Sequence, residues 1–153
     1  MKLNDCHNFE DFRKLAKKKL PSPIFHYIDG GADDEVTLNR NTSSFNDYDL
    51  VPSVLNDVSN VDMSTTVLGE KIDFPLFPAA TAMHRLYHHE GERASAKAVE
   101  KMGTIFGTST MGTVSIEEIT KVNKGPKLFQ LYIHKDRGLT DNLLERCKKS
   151  GFS

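Results

Sequence analysis

From Phe74 to Ile133, apolar runs and amphipathic stretches alternate. "FPLFPAATA" (74–82), "TIFGTST" (104–110) and "KLFQLYI" (127–133) are short and apolar, the length of buried strands. Each is followed by a stretch at helical spacing. "GERASAKAVEKMG" puts Ala94, Ala98, Val99 and Met102 on one predicted face. In "SIEEITKV", Ser115 and Glu118 form a capping box and Ile116, Ile119 and Val122 share a stripe. The last stretch places Leu139, Leu143, Leu144 and Cys147 together and ends at Gly151, with "FS" starting something new. Three strand–helix repeats predict an α/β fold, with parallel strands joined by crossover helices. They fit part of a doubly wound sheet or part of a (β/α)₈ barrel. No G-x-G-x-x-G follows a strand, which weighs against a dinucleotide-binding sheet.

The first 72 residues read differently. Apolar positions 9, 12, 15, 16 and 20 predict a helix over 8–20, stopped by Pro21. A second, short helix over 23–29 is predicted to be capped by Ser22, opened by Pro23 and closed by a left-handed Gly30. The acids Asp33, Asp34 and Glu35 suit a third helix start. "TTVLGEKIDFP" predicts a small hairpin around Gly69-Glu70. Two regions follow: a helical lead-in with the hairpin over 1–72, and three β/α units over 73–153.

Composition narrows the class. The chain of 153 residues is 38% hydrophobic and 27% charged, as expected of a globular domain rather than a disordered one. Its net charge of −1 gives no reason to expect nucleic acid as a partner. The two cysteines, Cys6 and Cys147, have no metal or redox spacing and predict free thiols in a reducing, cytoplasmic setting. No stretch has the length of a membrane span; peripheral attachment at the inner membrane stays compatible.

In either α/β architecture the ligand lies beyond the C-terminal ends of the strands. There "AATAM" offers small residues, "GTSTMGT" offers hydroxyls and glycines, and the third run offers Gln130 and Tyr132, two positions apart and so on one face. Each has a plain packing explanation. Small residues let helices approach, Ser115 caps a helix, and a Gln–Tyr pair can be a satisfied core hydrogen bond. "YHHEGE" gathers His88, His89, Glu90 and Glu92, but adjacent histidines diverge and there is no H-E-x-x-H, so no metal is expected.

Three segments together resemble the FMN-dependent L-2-hydroxy acid dehydrogenases and oxidases. This family includes bacterial L-lactate dehydrogenase, the flavocytochrome lactate dehydrogenases and plant glycolate oxidase. "FHYIDGGADDEVTLNRN" is similar to the family's Y-x-x-G-A-x-x-E-x-T-L-x-x-N, in a form nearest the bacterial lactate enzymes. "LGEKIDFPLFPAATAMHRLYHHEGE" resembles the segment of the first barrel strand, and "QLYIHKDR" the family's Q-L-Y-V-x-x-D-R. The resemblance implies the N-terminal part of a (β/α)₈ barrel with lead-in helices. It implies FMN as cofactor and oxidation of a small L-2-hydroxy acid, L-lactate first, to the 2-oxo acid. Electrons would pass on to a quinone, a cytochrome or O₂, and the full-length protein would be a homo-oligomer.

By the same resemblance Tyr27 binds the substrate carboxylate, and Ala80, Thr81 and Ala82 form the loop that meets the flavin. Ser109 and Gln130 bind the flavin, and Tyr132 lies at the substrate's reacting oxygen as the catalytic tyrosine. Two positions depart from the pattern. Met111 stands where plant oxidases have tryptophan, and Ala80 where many members have proline. The family's histidine base, carboxylate-binding arginine, flavin lysine and phosphate loops all fall beyond Ser153, so this chain alone is expected to be inactive and poorly stable. Three other readings remain: a peroxide-forming oxidase such as a glycolate oxidase, a non-catalytic fragment that binds a partner through open strand edges, and a phosphate-binding barrel whose ligand is not a flavin.

Overall fold

The computed structural model describes residues 2–153. They form two compact units, Met1–Val58 and Ser59–Ser153.

The first unit is helical. Helix α1 (Phe9–Lys19) starts where the Asn8 side chain accepts a hydrogen bond from the Asp11 N–H, and ends in Lys17, Lys18 and Lys19, cations that suit a helix C-terminus. Of its predicted apolar face only Leu15 is buried; Phe9 and Phe12 are exposed. Helix α2 (Ser22–Asp29) buries Phe25. It begins one residue earlier than expected, with Pro21 at the cap position and no side-chain cap. Gly30 is not left-handed: its φ of −83° carries the chain out extended. The left-handed residues come later, at Asp33 and Glu35. The three acids therefore precede helix α3 (Val36–Ser43) rather than forming its first turn, and the Glu35 carboxylate turns back to accept the Gly31 N–H at 3.0 Å. Arg13 and Asp29 join α1 to α2 through two hydrogen bonds.

The second unit opens with the hairpin. Strands β1 (Thr65–Val67) and β2 (Glu70–Ile72) pair antiparallel, with Val67 opposite Glu70. The two-residue loop is Leu68-Gly69, one position earlier than expected, and both residues have positive φ, as a hairpin with the native strand twist requires.

Helix α4 (Glu92–Lys101), strand β3 (Phe106–Ser109), helix α5 (Ile116–Val122), strand β4 (Lys127–Gln130) and helix α6 (Arg137–Lys149) follow in order. β3 and β4 pair in parallel, Phe106 opposite Lys127 through Ser109 opposite Gln130, with α5 as the crossover. This is the α/β arrangement that the alternation predicts. Phe106 packs with Ala96 and Val99 of α4, Ile116 and Ile119 of α5, and Cys147 of α6 into one core that Phe129 and Leu143 border. The α4 face differs from the expected one. Ala96, Val99 and Glu92 are buried while Ala98 and Met102 are exposed, because Glu92 is held inside by hydrogen bonds and rotates the stripe toward it.

The first apolar run does not become a strand. Residues 74–82 run beside β3 without a ladder. The contacts advance in step: Asp73 N donates to Gly103 O, the Thr104 hydroxyl to Leu76 O, and Met83 N to Met111 O. Pro75 and Pro78 lack the N–H groups a ladder needs, which explains the irregularity.

On the far side of β4 the chain returns. Gly151 closes α6 with a φ of +69°, and Phe152 N donates to Cys147 O. Ser153 then bridges β4, donating from its N–H to Lys127 O and accepting from Phe129 N.

Charge pairs pin the helix layer. Arg146 of α6 grips Glu117 of α5 with two hydrogen bonds of 2.8 and 2.9 Å. The Arg146 guanidinium holds the Glu117 carboxyl down at about 2, against an ordinary 4.5. A depressed carboxylate stabilises the fold fully above pH about 4.5 and loses that contribution as the pH falls toward 2. The pair is nearly half exposed, so solvent screening limits it to about 0.5–1 kcal/mol. Glu117→Gln should therefore lower stability by that amount at pH 6 and by progressively less as the pH falls through about 2. Urea midpoints of both proteins across that range check it.

Candidate functional site

Six of the seven residues that sequence singles out lie at the last positions of β3 and β4, just past β4, or at the end of segment 74–82. The seventh, Tyr27, lies on α2 of the first unit with its ring 61% exposed. The others, Ala80, Thr81, Ala82, Ser109, Gln130 and Tyr132, belong to the second.

Alternation along the strands sorts the two sheet faces. Phe106 and Phe129 point into the helix core. Gly107, Ser109, Leu128 and Gln130 therefore share the opposite face, with Ser109 and Gln130 side by side as register partners. Ala80 crosses this face at Gly107 so closely that a β-carbon there would come within 3.2 Å of the Ala80 nitrogen. A flat wall of small groups results.

The strand ends are tied together by a residue that sequence reading left unassigned. Thr110 donates from both its N–H and its hydroxyl to the Gln130 carbonyl, each at 3.0 Å. Its hydroxyl also accepts the Tyr132 N–H at 2.9 Å. β4 ends at Gln130, so Tyr132 stands just past the strand, 58% exposed, with its backbone fixed by Thr110. Its place in the hydroxyl-rich "GTSTMGT" was the available signal. Ser109 is buried, and its hydroxyl accepts the Met111 N–H at 3.1 Å. The Thr81 hydroxyl donates to Ala79 O, and Met111, half exposed, stands at the turn after β3. The Gln130 amide forms no hydrogen bond among the described residues, so both its donor and its acceptor remain available to a ligand. A planar heteroaromatic ring suits this set: small groups to lie against, and an amide and hydroxyls at its edge.

Glu92 was read only as a weak metal candidate. It is fully buried and accepts from Thr113 N at 2.8 Å, the Thr113 hydroxyl at 2.6 Å and His84 N at 3.3 Å. Burial pushes its carboxyl up, but the Thr113 hydroxyl and the surrounding N–H groups outweigh that and hold it below the ordinary value. Among the described residues no group of three or more His, Cys, Asp or Glu side chains could hold a metal ion. Among them, too, no helix is long and apolar enough to cross a membrane.

Known proteins resemble the chain over nearly all of its length. Glycolate oxidase of Spinacia oleracea is 41% identical over 145 residues, covering 95% of this chain and 39% of that protein. L-lactate dehydrogenase of Vibrio parahaemolyticus is 44% identical over 141 residues, covering 92% and 37%. The flavin-binding domain of baker's yeast flavocytochrome b2 superposes with a TM-score of 0.90 at 33% identity, over 99% of this chain and 40% of that one. The chain thus spans about two fifths of the length of the curated relatives it matches. The model of the FMN-dependent dehydrogenases matches residues 16–153, and the chain belongs to that family.

Proposed function

We propose that the full-length protein oxidises a small L-2-hydroxy acid, L-lactate, to the 2-oxo acid with FMN as cofactor, and that this chain is the first part of its (β/α)₈ barrel. The observation that carries the reading is the pairing of Ser109 with Gln130 on the small-residue face of β3 and β4, with Ala80 lying against Gly107. The barrel reading draws support from the lateral order: segment 74–82, β3, β4, then Ser153 bridging β4 on its other side.

Bound FMN supplies the two-electron acceptor for the substrate. The chain's own residues bind and orient. Ala80, Thr81 and Ala82 would meet the flavin through small groups and backbone. The Ser109 hydroxyl and the Gln130 amide would hydrogen-bond it. Tyr27 anchors the substrate carboxylate. The Tyr132 hydroxyl holds the substrate's α-oxygen and favours charge developing there. Positioning of this kind keeps the substrate carbon at reacting distance. Electrons leave to a quinone, a cytochrome or O₂. A homo-oligomer in the cytoplasm, peripheral to the inner membrane, completes the proposal.

A second reading, a peroxide-forming glycolate oxidase, is favoured by the 41% identity to the Spinacia enzyme. Met111 stands where the plant oxidases have tryptophan, so their glycolate preference does not carry over, and the "FHYIDGGA" form supports L-lactate. The test is steady-state turnover of the full-length protein with L-lactate and with glycolate, following both dye reduction and peroxide. The expected result is flavin absorbance with L-lactate preferred by about tenfold or more in kcat/KM, the scale on which one added methyl group in an apolar pocket is discriminated. Preference for glycolate with stoichiometric peroxide supports the second reading. A colourless protein refutes both.

A further inference from the structure

We propose that Glu92 is a positioning residue for the flavin site: through Thr113 it locks the loop after segment 74–82 to the loop after β3, and so sets how tightly the flavin is held. The inference rests on the FMN reading above. Neither loop is held by a strand ladder. Segment 74–82 has none, β3 ends at Ser109, and the first loop carries only one turn of 3-10 helix, His84–Leu86. Yet Ala80, Thr81 and Ala82 lead directly into the first loop, and the second follows directly on Ser109.

A single carboxylate spans them. One Glu92 oxygen accepts His84 N from the first loop and Thr113 N from the second. The other accepts the Thr113 hydroxyl, which in turn accepts Arg85 N at 3.1 Å. Met83 N donates to Met111 O, a third link between the same two loops. Met83 and Gly91 both hold left-handed backbone, with φ of 54° and 58°. Gly91 is needed there as well for space, since a β-carbon would come within 2.8 Å of Arg85 Cγ. The chain is bent at both places, which brings Glu92 into the gap between the loops. A neutral core residue would fill the space, but it would leave three donors unsatisfied. The carboxylate is worth its burial because it fixes the loops in one frame.

The test uses the full-length protein and three variants. Glu92→Gln keeps the shape and loses the charge. Thr113→Val keeps the fold of the loop and removes the hydroxyl relay. Glu117→Gln is the control, since it weakens the α5–α6 contact to Arg146 without touching the Glu92 carboxylate or the Thr113 hydroxyl. FMN affinity of the apoprotein is measured by fluorescence quenching, the flavin midpoint potential by dye equilibration, and thermal stability in parallel. Glu92→Gln and Thr113→Val should each weaken FMN binding about tenfold, the weight of one charge-assisted hydrogen bond, and shift the midpoint potential. Glu117→Gln should lower stability with affinity and potential unchanged. If Glu92→Gln only lowers stability, as the control does, the positioning role is overturned while the flavin reading stands. If the wild-type protein takes up no FMN, both are overturned.

Discussion

Tyr132→Phe in the full-length protein should lower turnover about a hundredfold while flavin content stays at the wild-type level. The Tyr132 backbone is held by Thr110, and its ring is exposed past the end of β4, so the hydroxyl supports no packing in this unit. Removing one oxygen from an exposed ring leaves the fold intact. In the proposed mechanism it removes a donor to the substrate's α-oxygen, which gains negative charge in the transition state, where such donors weigh most. Turnover per bound flavin, from stopped-flow reduction with L-lactate, gives the answer. A variant that lost its flavin but kept its turnover per remaining flavin would contradict the role given to Tyr132.

The largest effect on stability is expected from Phe106→Ala, at about 3–5 kcal/mol. Phe106 is 1% exposed and belongs to a core cluster to which all three helices of the second unit contribute residues. The cavity would open between β3 and the α4–α5 pair, where both sides are fixed by strand pairing and by the buried Asn123 amide on Ala96 O. Collapse there is difficult, so the cost falls at the upper end. Phe106→Leu should cost much less, since most of the volume remains. Denaturant midpoints of the two variants give the comparison.

Much of the architecture could be read from periodicity, because α5 buries its predicted stripe and β3 and β4 are short apolar runs. Helix α6 buries Cys147 and half-buries Leu143 as expected, but it leaves Leu139 and Leu144 exposed and turns Thr140 inward, where the Thr140 hydroxyl accepts the His134 N–H. The misreadings have local causes. The α4 stripe was misplaced because a buried carboxylate breaks the equation of core with apolar. Glu92 is as deep as Ala96, but its three donors come from residues 84 and 113, and no window of sequence contains them together. Segment 74–82 read as a strand by composition, yet its prolines remove ladder donors. Phe9 and Phe12 read as core by spacing and are exposed. Motif carried the site where period could not: the alternation would have left Gln130 as an ordinary inward residue. Thr110 stayed hidden because a threonine beside a serine in a loop looks like a cap, and its work is done across the sheet on Gln130.

The proline-broken segment has a consequence during synthesis. While the ribosome is still adding later residues, the flank of β3 can be covered by an irregular segment in which Pro75 and Pro78 offer no N–H to any partner. A second nascent chain therefore meets a poor template for strand addition on that side.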